Sequence, residues 1–559
     1  MGHRLLSRID EFTLFYSTFI ASLFLSILVL FQLSFIFKIQ HFSIILPLSV
    51  LLAYFVTKKI MISHIKVSNW FIIIGVFLLS GIIAFFSFDK AGDSRWYHQA
   101  IIVLLKNGWN PIHDYSKFKF NGDYTALIMQ TYSQANEILA LAFVAVFKHI
   151  QIGKIINLLF AIYGLSVTYL ALKLVFELTP KQNILICIYL TFNPIFAAQY
   201  LSYYLDANFL VCFEVLLFSL LIWMKTLIAE KVSTQKFKLD VVGYNLSLFS
   251  ILNIFASCIM LSNLKFTGLV YSMIILAVFG ISKYIYEYKI LNITIMQIIL
   301  KNYFHVIIIG SALILMSYHP YVQNIIANKS PLWPLMGQDS PIMLTTWSAL
   351  SWSPYNKFIT LLITYFLPYP ATYPPFSFMP SIKSFVAADY SICALGPFYG
   401  LFLIISLYYC IKYLKRMWYG IKTDFVCLAI TICIASILIS TIANPYFMYL
   451  RYVPQMILLP AIAIIILFKF KAAWFNNKIQ KIFIIMCIIN SGLFFGGATI
   501  LTAYRTHKFM QMENICRYEH CTLEIQHHNI FERSLLNQIA EDGITFTMSS
   551  CYNKVIMLI

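Results

Sequence analysis

The sequence predicts an all-α polytopic membrane protein. Hydrophobic residues make up 60% of the 559 residues, and the mean hydropathy is +0.79. Charged residues make up only 11%, against roughly 25% in soluble domains. The apolar residues also fall in runs of about twenty, such as residues 69–88, which is the length that an α-helix needs to cross a bilayer.

The runs predict about thirteen transmembrane helices. Lys and Arg cluster in short connections between the runs, and such connections are typically cytoplasmic. Arg4 and Arg8 precede the first run and the basic residues 57–66 follow the second, so both of these segments are predicted to be cytoplasmic. The N-terminus is therefore inside, and an odd number of spans places the C-terminus outside. The predicted spans are 12–37, 42–57, 69–88, 155–178, 183–200, 207–224, 242–262, 268–285, 302–317, 390–411, 424–442, 453–469 and 482–501.

One further apolar run, residues 135–149, breaks this alternation if it crosses the membrane. We therefore expect it to lie in the interface as an amphipathic helix, and a second apolar piece at 357–368 is a similar candidate. The prediction is a transmembrane domain over residues 1–501 with extracytoplasmic loops at about 89–153 and 318–388. Residues 502–559 form a small extracytoplasmic tail with a composition like that of a soluble protein.

The net charge of +18 does not indicate a nucleic-acid partner. The basic residues are divided among short connections, and no contiguous basic groove or helix is present in the sequence. The bilayer is the expected partner. The eleven cysteines lie mostly inside apolar runs, but Cys516, Cys521 and Cys551 lie in the tail, where two of them could form a disulfide if the tail is outside the cytoplasm.

An acid-rich stretch, residues 89–115, follows the third predicted span. Asp93 stands ahead of a helical pattern, so it either caps that helix or presents a carboxylate at the membrane surface for general-base catalysis. The two roles can coexist. Asp89, at the end of the span, is the competing candidate for the base.

A second acid, Asp206, is predicted at the same face, at the mouth of the 207–224 span. Close to Asp93, it could orient a substrate hydroxyl or share a divalent cation such as Mg²⁺ or Mn²⁺. The sequence fits a metal site and a metal-free base equally, and it requires no cofactor.

Basic residues at this face run against the usual charge bias, so each is a candidate partner for an anion. Arg451, beside Tyr452, follows an Asn-Pro turn, and its planar fork suits a phosphate. Lys265 either extends to the interface or binds the same anion. His319 is a possible further donor, and Tyr97 and His98 are substrate-binding candidates beside Asp93.

Acids that activate a hydroxyl, and cations that hold a phosphate, fit glycosyl transfer from a polyprenyl-phosphate sugar. The sequence resembles the GT-C superfamily of integral-membrane glycosyltransferases in four places: GDSRWYHQ with GWNP, NP…YYLD, LKFTG, and HPYVQN…PLWPL with a late RY. The resemblance implies a catalytic base at Asp93 or Asp89, a second acid at Asp206, and late basic residues on the lipid phosphate.

The same resemblance implies a bacterial inner-membrane enzyme with its active site on the periplasmic face and a cell-envelope glycan as acceptor. A protein acceptor such as a pilin is an alternative. An O-antigen polymerase or ligase and a lipid-linked glycan transporter are others. Transporters tend to carry internal repeats and charges at mid-membrane, whereas the acids and bases here lie at the ends of the spans, which favours an enzyme.

Overall fold

The structure, a computed structural model, describes most of the membrane domain and short parts of the tail. The described residues are 8–61, 65–89, 91, 93–115, 124–191, 193–232, 245–291, 316–334, 336–337, 357–366, 397–420, 424–447, 450–470, 477–518, 523–526 and 546–549.

These residues form eighteen α-helices and one pair of short strands. The elements are α1 (Arg8–Ile36), α2 (Ile45–Ile60), α3 (Val67–Phe85), α4 (Gln99–Lys106), α5 (Tyr124–Thr131), α6 (Ala135–Phe147), α7 (Ile155–Leu174), α8 (Pro180–Thr191), α9 (Pro194–Gln199), α10 (Asp206–Val232), α11 (Leu246–Leu264), α12 (Phe266–Leu291), α13 (Gln323–Asn328), α14 (Lys357–Phe366), α15 (Pro397–Gly420), α16 (Phe425–Ile442), α17 (Leu458–Lys469), α18 (Asn477–Tyr518), β1 (Leu523–Gln526) and β2 (Phe546–Ser549).

Eight of the described helical segments are long and apolar enough to cross a membrane, and the chain is an all-helical polytopic membrane protein in this part. They are Ile9–Ile36, Phe42–Ile60, Val67–Phe85, Ile150–Leu174, Asp206–Ile228, Leu246–Leu264, Phe266–Tyr286 and Phe425–Ile442. The predicted total of thirteen stays a prediction, because a span such as 302–317 lies almost wholly outside the described residues.

Helix α10 lies at the centre of the bundle. It packs against α7 and α11, and it also contacts α12 and α16. Its side chains are buried from Asp206 through Ile222, which is why its sequence is apolar on every face rather than along one stripe. Helix α3 is the opposite case: Phe71 and Leu78 are among its many exposed apolar side chains, as expected of a helix that faces lipid.

The ion pairs of the described residues divide between the two ends of the bundle. At one end, which we call the paired end, each acid contacts one lysine: Asp10 with Lys173, Glu11 with Lys66, Glu177 with Lys225, and Asp424 with Lys469. The opposite end, which we call the cluster end, carries Asp93, Asp206, Lys265 and Arg451. All the paired-end residues lie at or near the ends of predicted spans that face the cytoplasm in the predicted topology.

Helix α6 corrects the prediction for residues 135–149 in one respect, because the helix is not amphipathic. The helix has thirteen residues, about 20 Å, and is too short to cross the bilayer. Both of its ends lie at the cluster end, because Glu137 contacts His98 and the ring of His149 lies 4.5 Å from that of Phe85. However, its residues 135–145 are nearly all buried against α1, α2, α4 and α11, so its apolar residues cover all faces instead of one.

An Asn-Pro break interrupts the predicted span 183–200. The run 183–200 is divided into α8 and α9, and the side chain of Asn193 accepts a hydrogen bond of 2.9 Å from the backbone N–H of Phe196. Pro194 occupies the first helical position, where its missing N–H costs nothing. The break brings the chain at the cluster end back toward the core before α10 begins.

The last helix extends across the predicted boundary between the membrane domain and the tail. Helix α18 has 42 residues, about 63 Å, and continues through residue 501 to Tyr518. Thr506 accepts a hydrogen bond of 2.8 Å from the backbone N–H of Phe88, which places this level of α18 at the cluster end. Beyond it, β1 and β2 pair in parallel. A disulfide of Cys521 or Cys551 falls outside the described residues.

The short helix predicted at 357–368 is present as α14. It packs against α15, and the ring of Phe358 contacts that of Phe447 in a tilted arrangement with 5.0 Å between centroids. Lys357 Nζ donates a hydrogen bond of 3.2 Å to the carbonyl of Pro445. Helix α14 therefore lies beside the turn that carries Arg451, close to the cluster end.

Candidate active site

Asp93 begins a π-helical turn, residues 94–98, that leads into α4. Its side chain makes no capping hydrogen bond, so the capping role predicted from its position is absent. One carboxylate oxygen, Oδ2, instead contacts Arg451 Nη2. Its backbone N–H donates to the Tyr204 hydroxyl at 3.2 Å. The carboxylate therefore points to Arg451 rather than to the backbone of the helix that follows it.

Arg451 lies in a turn that is held by hydrogen bonds from one asparagine, and from this turn its side chain reaches Asp93. Asn444, before Pro445, donates from Nδ2 to the carbonyl of Tyr452 at 3.1 Å and to the Tyr271 hydroxyl at 2.9 Å. The chain between α16 and α17 is thereby folded back on itself. This turn points the Arg451 side chain inward.

The guanidinium of Arg451 links two carboxylates. Its Nε lies 3.0 Å from Asp206 Oδ2 while Nη2 contacts Asp93. Its Cζ lies 4.7 Å from the centre of the Tyr204 ring, a cation–π contact. Burial lowers the pKa of Arg451, but the two carboxylates raise that pKa by more, to well above its ordinary value. The group is a permanent cation.

Asp206 is the first residue of α10 and is only 1% exposed. Lys265 Nζ contacts its Oδ1, and Gln199 Nε2 donates to its Oδ2 at 2.8 Å. A carboxylate at a helix N-terminus is also favoured by the helix dipole. Asp206 therefore holds the two cations in place and has little freedom to move.

Lys265 lies in the sharp turn between α11 and α12. That turn needs Gly268, because a Cβ there would lie 1.8 Å from the carbonyl oxygen of Leu261. The ammonium lies 5.7 Å from the ring centroids of both Phe209 and Tyr452. Burial lowers its pKa, and the neighbouring Asp206 opposes that shift. The lysine extends inward to Asp206 rather than outward to the interface.

We call Asp93, Asp206, Lys265 and Arg451 the charge cluster. Its two acids and two cations cancel formally. Five tyrosines lie around it: Tyr97, Tyr132, Tyr204, Tyr446 and Tyr452. Burial raises the pKa of Tyr97, Tyr132 and Tyr452, so these phenols are neutral. Neutral hydroxyls beside a cation can donate to phosphate or sugar oxygens without adding charge.

The loop that carries Tyr204 and Asp206 rests on three buried asparagines. Asn157 Nδ2 donates a hydrogen bond of 2.6 Å to the backbone carbonyl two residues before Tyr204, and Asn136 Nδ2 donates one of 3.3 Å to the carbonyl directly before Tyr204. Asn208 Nδ2 donates to Asn136 Oδ1 at 3.0 Å and to Asn157 Oδ1 at 2.8 Å. Buried amides that satisfy one another fix this loop relative to α6, α7 and α10.

Asp89 is buried apart from the charge cluster. Its Oδ1 accepts from the backbone N–H of Ala91 at 2.9 Å, and its Oδ2 accepts from that of Tyr203 at 2.8 Å. The amide of Gln99 adds a longer contact of 3.4 Å. The buried Lys154 lies nearby and donates to Ser87. Asp89 therefore joins the backbone just before Asp93 to the loop at Tyr203, while the carboxylate of Asp93 faces the cations.

His98 pairs with Glu137, a residue that the sequence analysis does not single out. His98 Nδ1 contacts Glu137 Oε1, and both side chains are 1% exposed. Glu137 lies on α6, so the contact joins that helix to the π-helical turn after Asp93. His98 is thus turned into the protein and is engaged by a carboxylate.

His319 lies beside a different set of residues. Its Nδ1 is 2.7 Å from Gln323 Oε1, and its ring packs edge-on to the rings of Trp109 and Tyr115. Burial lowers its pKa to about 4, so the ring is neutral near pH 7. The neutral ring brings no charge to a phosphate on Arg451, and a role for His319 as a hydrogen-bond donor stays a prediction.

The predicted metal role of Asp93 and Asp206 does not fit this arrangement. The Arg451 guanidinium already lies between the two carboxylates. Within the described residues, no group of three or more His, Cys, Asp or Glu side chains is placed to hold a metal ion.

The sequence analysis also does not identify Tyr132, Tyr204 and Tyr446 as site residues. Tyr204 directly precedes Leu205 and Asp206 in YYLD, and Tyr446 follows the Asn-Pro turn before Arg451, so both stand next to candidates already chosen. Tyr132 has no such signal in a chain of 36 tyrosines.

Comparison with known proteins gives one solved structure and no family. No protein-family model and no curated protein matches the chain. The chain is similar to ArnT from Cupriavidus metallidurans, in a crystal structure with bound undecaprenyl phosphate, at 10% identity over 87% of each chain and a TM-score of 0.40.

Proposed function

We propose that the chain is an inverting membrane glycosyltransferase. It moves a hexose or pentose from a polyprenyl-phosphate carrier to a hydroxyl of an acceptor outside the cytoplasm, with a cell-envelope glycan as the favoured acceptor. The observation that carries the proposal is the contact of one buried arginine with two carboxylates beside a lysine, at one end of a membrane-spanning bundle.

The cations serve the leaving group. As the bond between the sugar C1 and the phosphate oxygen breaks, its electron pair goes to that oxygen. Arg451 supplies a planar set of N–H donors and Lys265 supplies a point charge, and both stabilise the charge that develops there. Both side chains are already oriented by Asp206, so little reorganisation is needed during the reaction.

Asp93 serves the acceptor. It is the more exposed of the two acids, with 21% of its side chain accessible against 1% for Asp206. It takes the proton of the attacking hydroxyl while the new bond forms to C1 on the face opposite the phosphate, which inverts the configuration. General-base catalysis of this kind contributes about 10²–10⁴-fold to the rate.

The tyrosines around the charge cluster fit the sugar and the phosphate. Their rings provide apolar faces against which a sugar ring can pack, and their neutral hydroxyls provide hydrogen bonds. Tyr97 and Tyr452 lie in this group, and Tyr132 and Tyr446 extend it.

The charge distribution supports a site on the extracytoplasmic face. The paired end includes Lys66, Lys173 and Lys225, and lysine-rich ends of spans are typically cytoplasmic. The charge cluster lies at the opposite end. Impermeant thiol reagents should therefore label a cysteine placed at the exposed His113 and not one placed at the exposed Glu177 in intact cells of a cysteine-free variant; the opposite pattern would reverse the orientation.

The test is a transfer assay with purified protein. The protein is incubated with a panel of polyprenyl-phosphate sugars and an envelope-glycan acceptor, and released polyprenyl phosphate is measured. At least one donor should be consumed in a manner that requires Asp93 and Arg451. Asp424→Asn, which alters an acid–lysine pair at the paired end, is the matched control and should retain activity. Consumption of no donor, or unchanged turnover in the Asp93→Asn protein, would contradict the proposal.

A further inference from the structure

We propose that Asp93 and the donor phosphate compete for Arg451, so that donor binding releases the general base. This inference rests on the proposed function and concerns the regulation of the same site. It starts from the observed contact of Asp93 Oδ2 with Arg451 Nη2, which occupies both groups before any substrate is bound.

The two carboxylates hold Arg451 unequally. Asp206 is buried and is fixed by Lys265 and Gln199 in addition to its 3.0 Å contact with Arg451 Nε. Asp93 is partly exposed, and its contact with Arg451 uses the outer end of the guanidinium. When an anion arrives from the membrane surface, the contact with Asp93 is therefore the one that yields.

The chemistry of the two anions favours this exchange. While Arg451 Nη2 contacts Asp93 Oδ2, that oxygen is not free to accept the proton of a hydroxyl. A phosphate offers more oxygens to the same planar fork and pairs with it in a bidentate manner. When the donor binds, its phosphate thus takes the place of the Asp93 carboxylate on Arg451. One carboxylate oxygen of Asp93 is then left without its partner, near the sugar.

Arg451 itself need not move far. Its Nε stays with Asp206 and its plane lies over the Tyr204 ring. Tyr204 also accepts from the backbone N–H of Asp93, so the main chain of Asp93 stays anchored while its side chain turns. The exchange is a side-chain rotation at Asp93.

The contact between Asp93 and Arg451 also sets the order of the steps that end the reaction. Transfer leaves the hydroxyl proton on Asp93 and the electron pair of the broken bond on the lipid phosphate. A protonated Asp93 is neutral and cannot reclaim Arg451, so the phosphate stays bound until that proton passes to solvent. Release of the carrier follows deprotonation of Asp93.

A binding measurement on the full chain in detergent tests the exchange. The probe is a short polyprenyl monophosphate without sugar, titrated into the wild-type, Asp93→Asn and Asp424→Asn proteins. Removing the competitor should tighten binding to the Asp93→Asn protein by about fivefold, which corresponds to about 1 kcal/mol for a partly exposed ion pair. Asp424→Asn should bind like the wild type. Equal or weaker binding by the Asp93→Asn protein would overturn the exchange.

A second measurement needs no substitution. In the wild-type protein, an apolar carbodiimide should modify Asp93 faster when the polyprenyl monophosphate is present, as read by mass spectrometry of the peptide that contains Asp93. Slower or unchanged modification at a saturating probe concentration would overturn the exchange. If the probe binds none of the three proteins, the proposed function itself fails, and that outcome is distinct from binding that Asp93 does not affect.

Discussion

The two ends of the bundle use the same kinds of charged residues in different ways. At the paired end, each acid meets one lysine, and several partners are open to water: the side chains of Lys66 and Glu177 are 59% and 65% exposed. At the cluster end, Arg451 is shared by two acids and Asp206 by two cations, and Asp206 is almost wholly buried. The first arrangement is a set of independent contacts and the second is one connected unit.

This difference separates charges that a membrane protein tolerates from charges that it needs. Exposed pairs contribute little to stability, and each can be lost without disturbing the others. A buried connected unit costs desolvation energy, and removing one member leaves its partners unpaired. Such a unit is expected where binding or chemistry depends on the charges.

The largest structural effect is expected from Arg451→Ala. The substitution leaves two carboxylates without their shared partner, and breaking a buried pair costs about 3–5 kcal/mol in the free energy of unfolding. The matched control is Arg416→Ala, since the exposed Arg416 stacks on the Phe470 ring without a carboxylate in the described contacts; it should cost about 0.5–1 kcal/mol. Unfolding in mixed micelles measures both, and similar values would remove the distinction between the two ends.

A smaller effect is expected from Glu137→Gln. The change keeps the shape of the side chain and removes the charge that His98 contacts in a buried site. Hydrogen bonds to charged groups contribute about 1.5–3 kcal/mol, so a loss of about 2 kcal/mol is expected. Glu177→Gln at the exposed paired end should be near neutral. A neutral Glu137→Gln protein would show that the His98 contact does not hold α6 to the turn after Asp93.

The free energy of unfolding should depend on pH because of His319. Burial lowers the pKa of its ring to about 4 in the folded chain, against about 6.5 when unfolded. Below about pH 6.5 the unfolded chain therefore binds a proton that the folded chain does not, and stability falls as the pH falls. Relative to His319→Gln, the wild type should lose about 1 kcal/mol between pH 7 and pH 5.5. Unfolding curves at the two pH values check this, and parallel behaviour would contradict it.

The smallest effect is expected from Lys225→Ala at the paired end. Its partner Glu177 is largely exposed, so the free energy of unfolding should change by less than about 1 kcal/mol. The rate of sugar transfer should not change. A loss of activity here would show that the two ends are coupled.

The sequence predicts the fold and part of the candidate site because both depend on charge at the ends of spans. Asp206, Lys265 and Arg451 each border an apolar run on one predicted face, and the structure brings them into contact. Asp93 joins them from the first long loop. Sidedness needs only the alternation of spans and the positions of lysines.

What the sequence does not predict depends on burial. Nothing in the pattern of 135–149 distinguishes a helix on the membrane surface from α6, which neighbouring helices cover. His98 and His319 lie at the predicted end of the bundle, but their rings turn inward to Glu137 and Gln323. Tyr132 joins the site only through packing, since it borders no candidate residue in the sequence.

The role of Asp93 as the general base is tested most directly by single-turnover sugar transfer in the wild-type, Asp93→Asn and Asp424→Asn proteins. Labelled polyprenyl-phosphate sugar is the donor, and the rate of transfer at saturating donor is measured. This role predicts a rate lower by about 10²–10⁴-fold for Asp93→Asn and an unchanged rate for Asp424→Asn. Equal rates in all three proteins, or an equal loss in both variants, would contradict it.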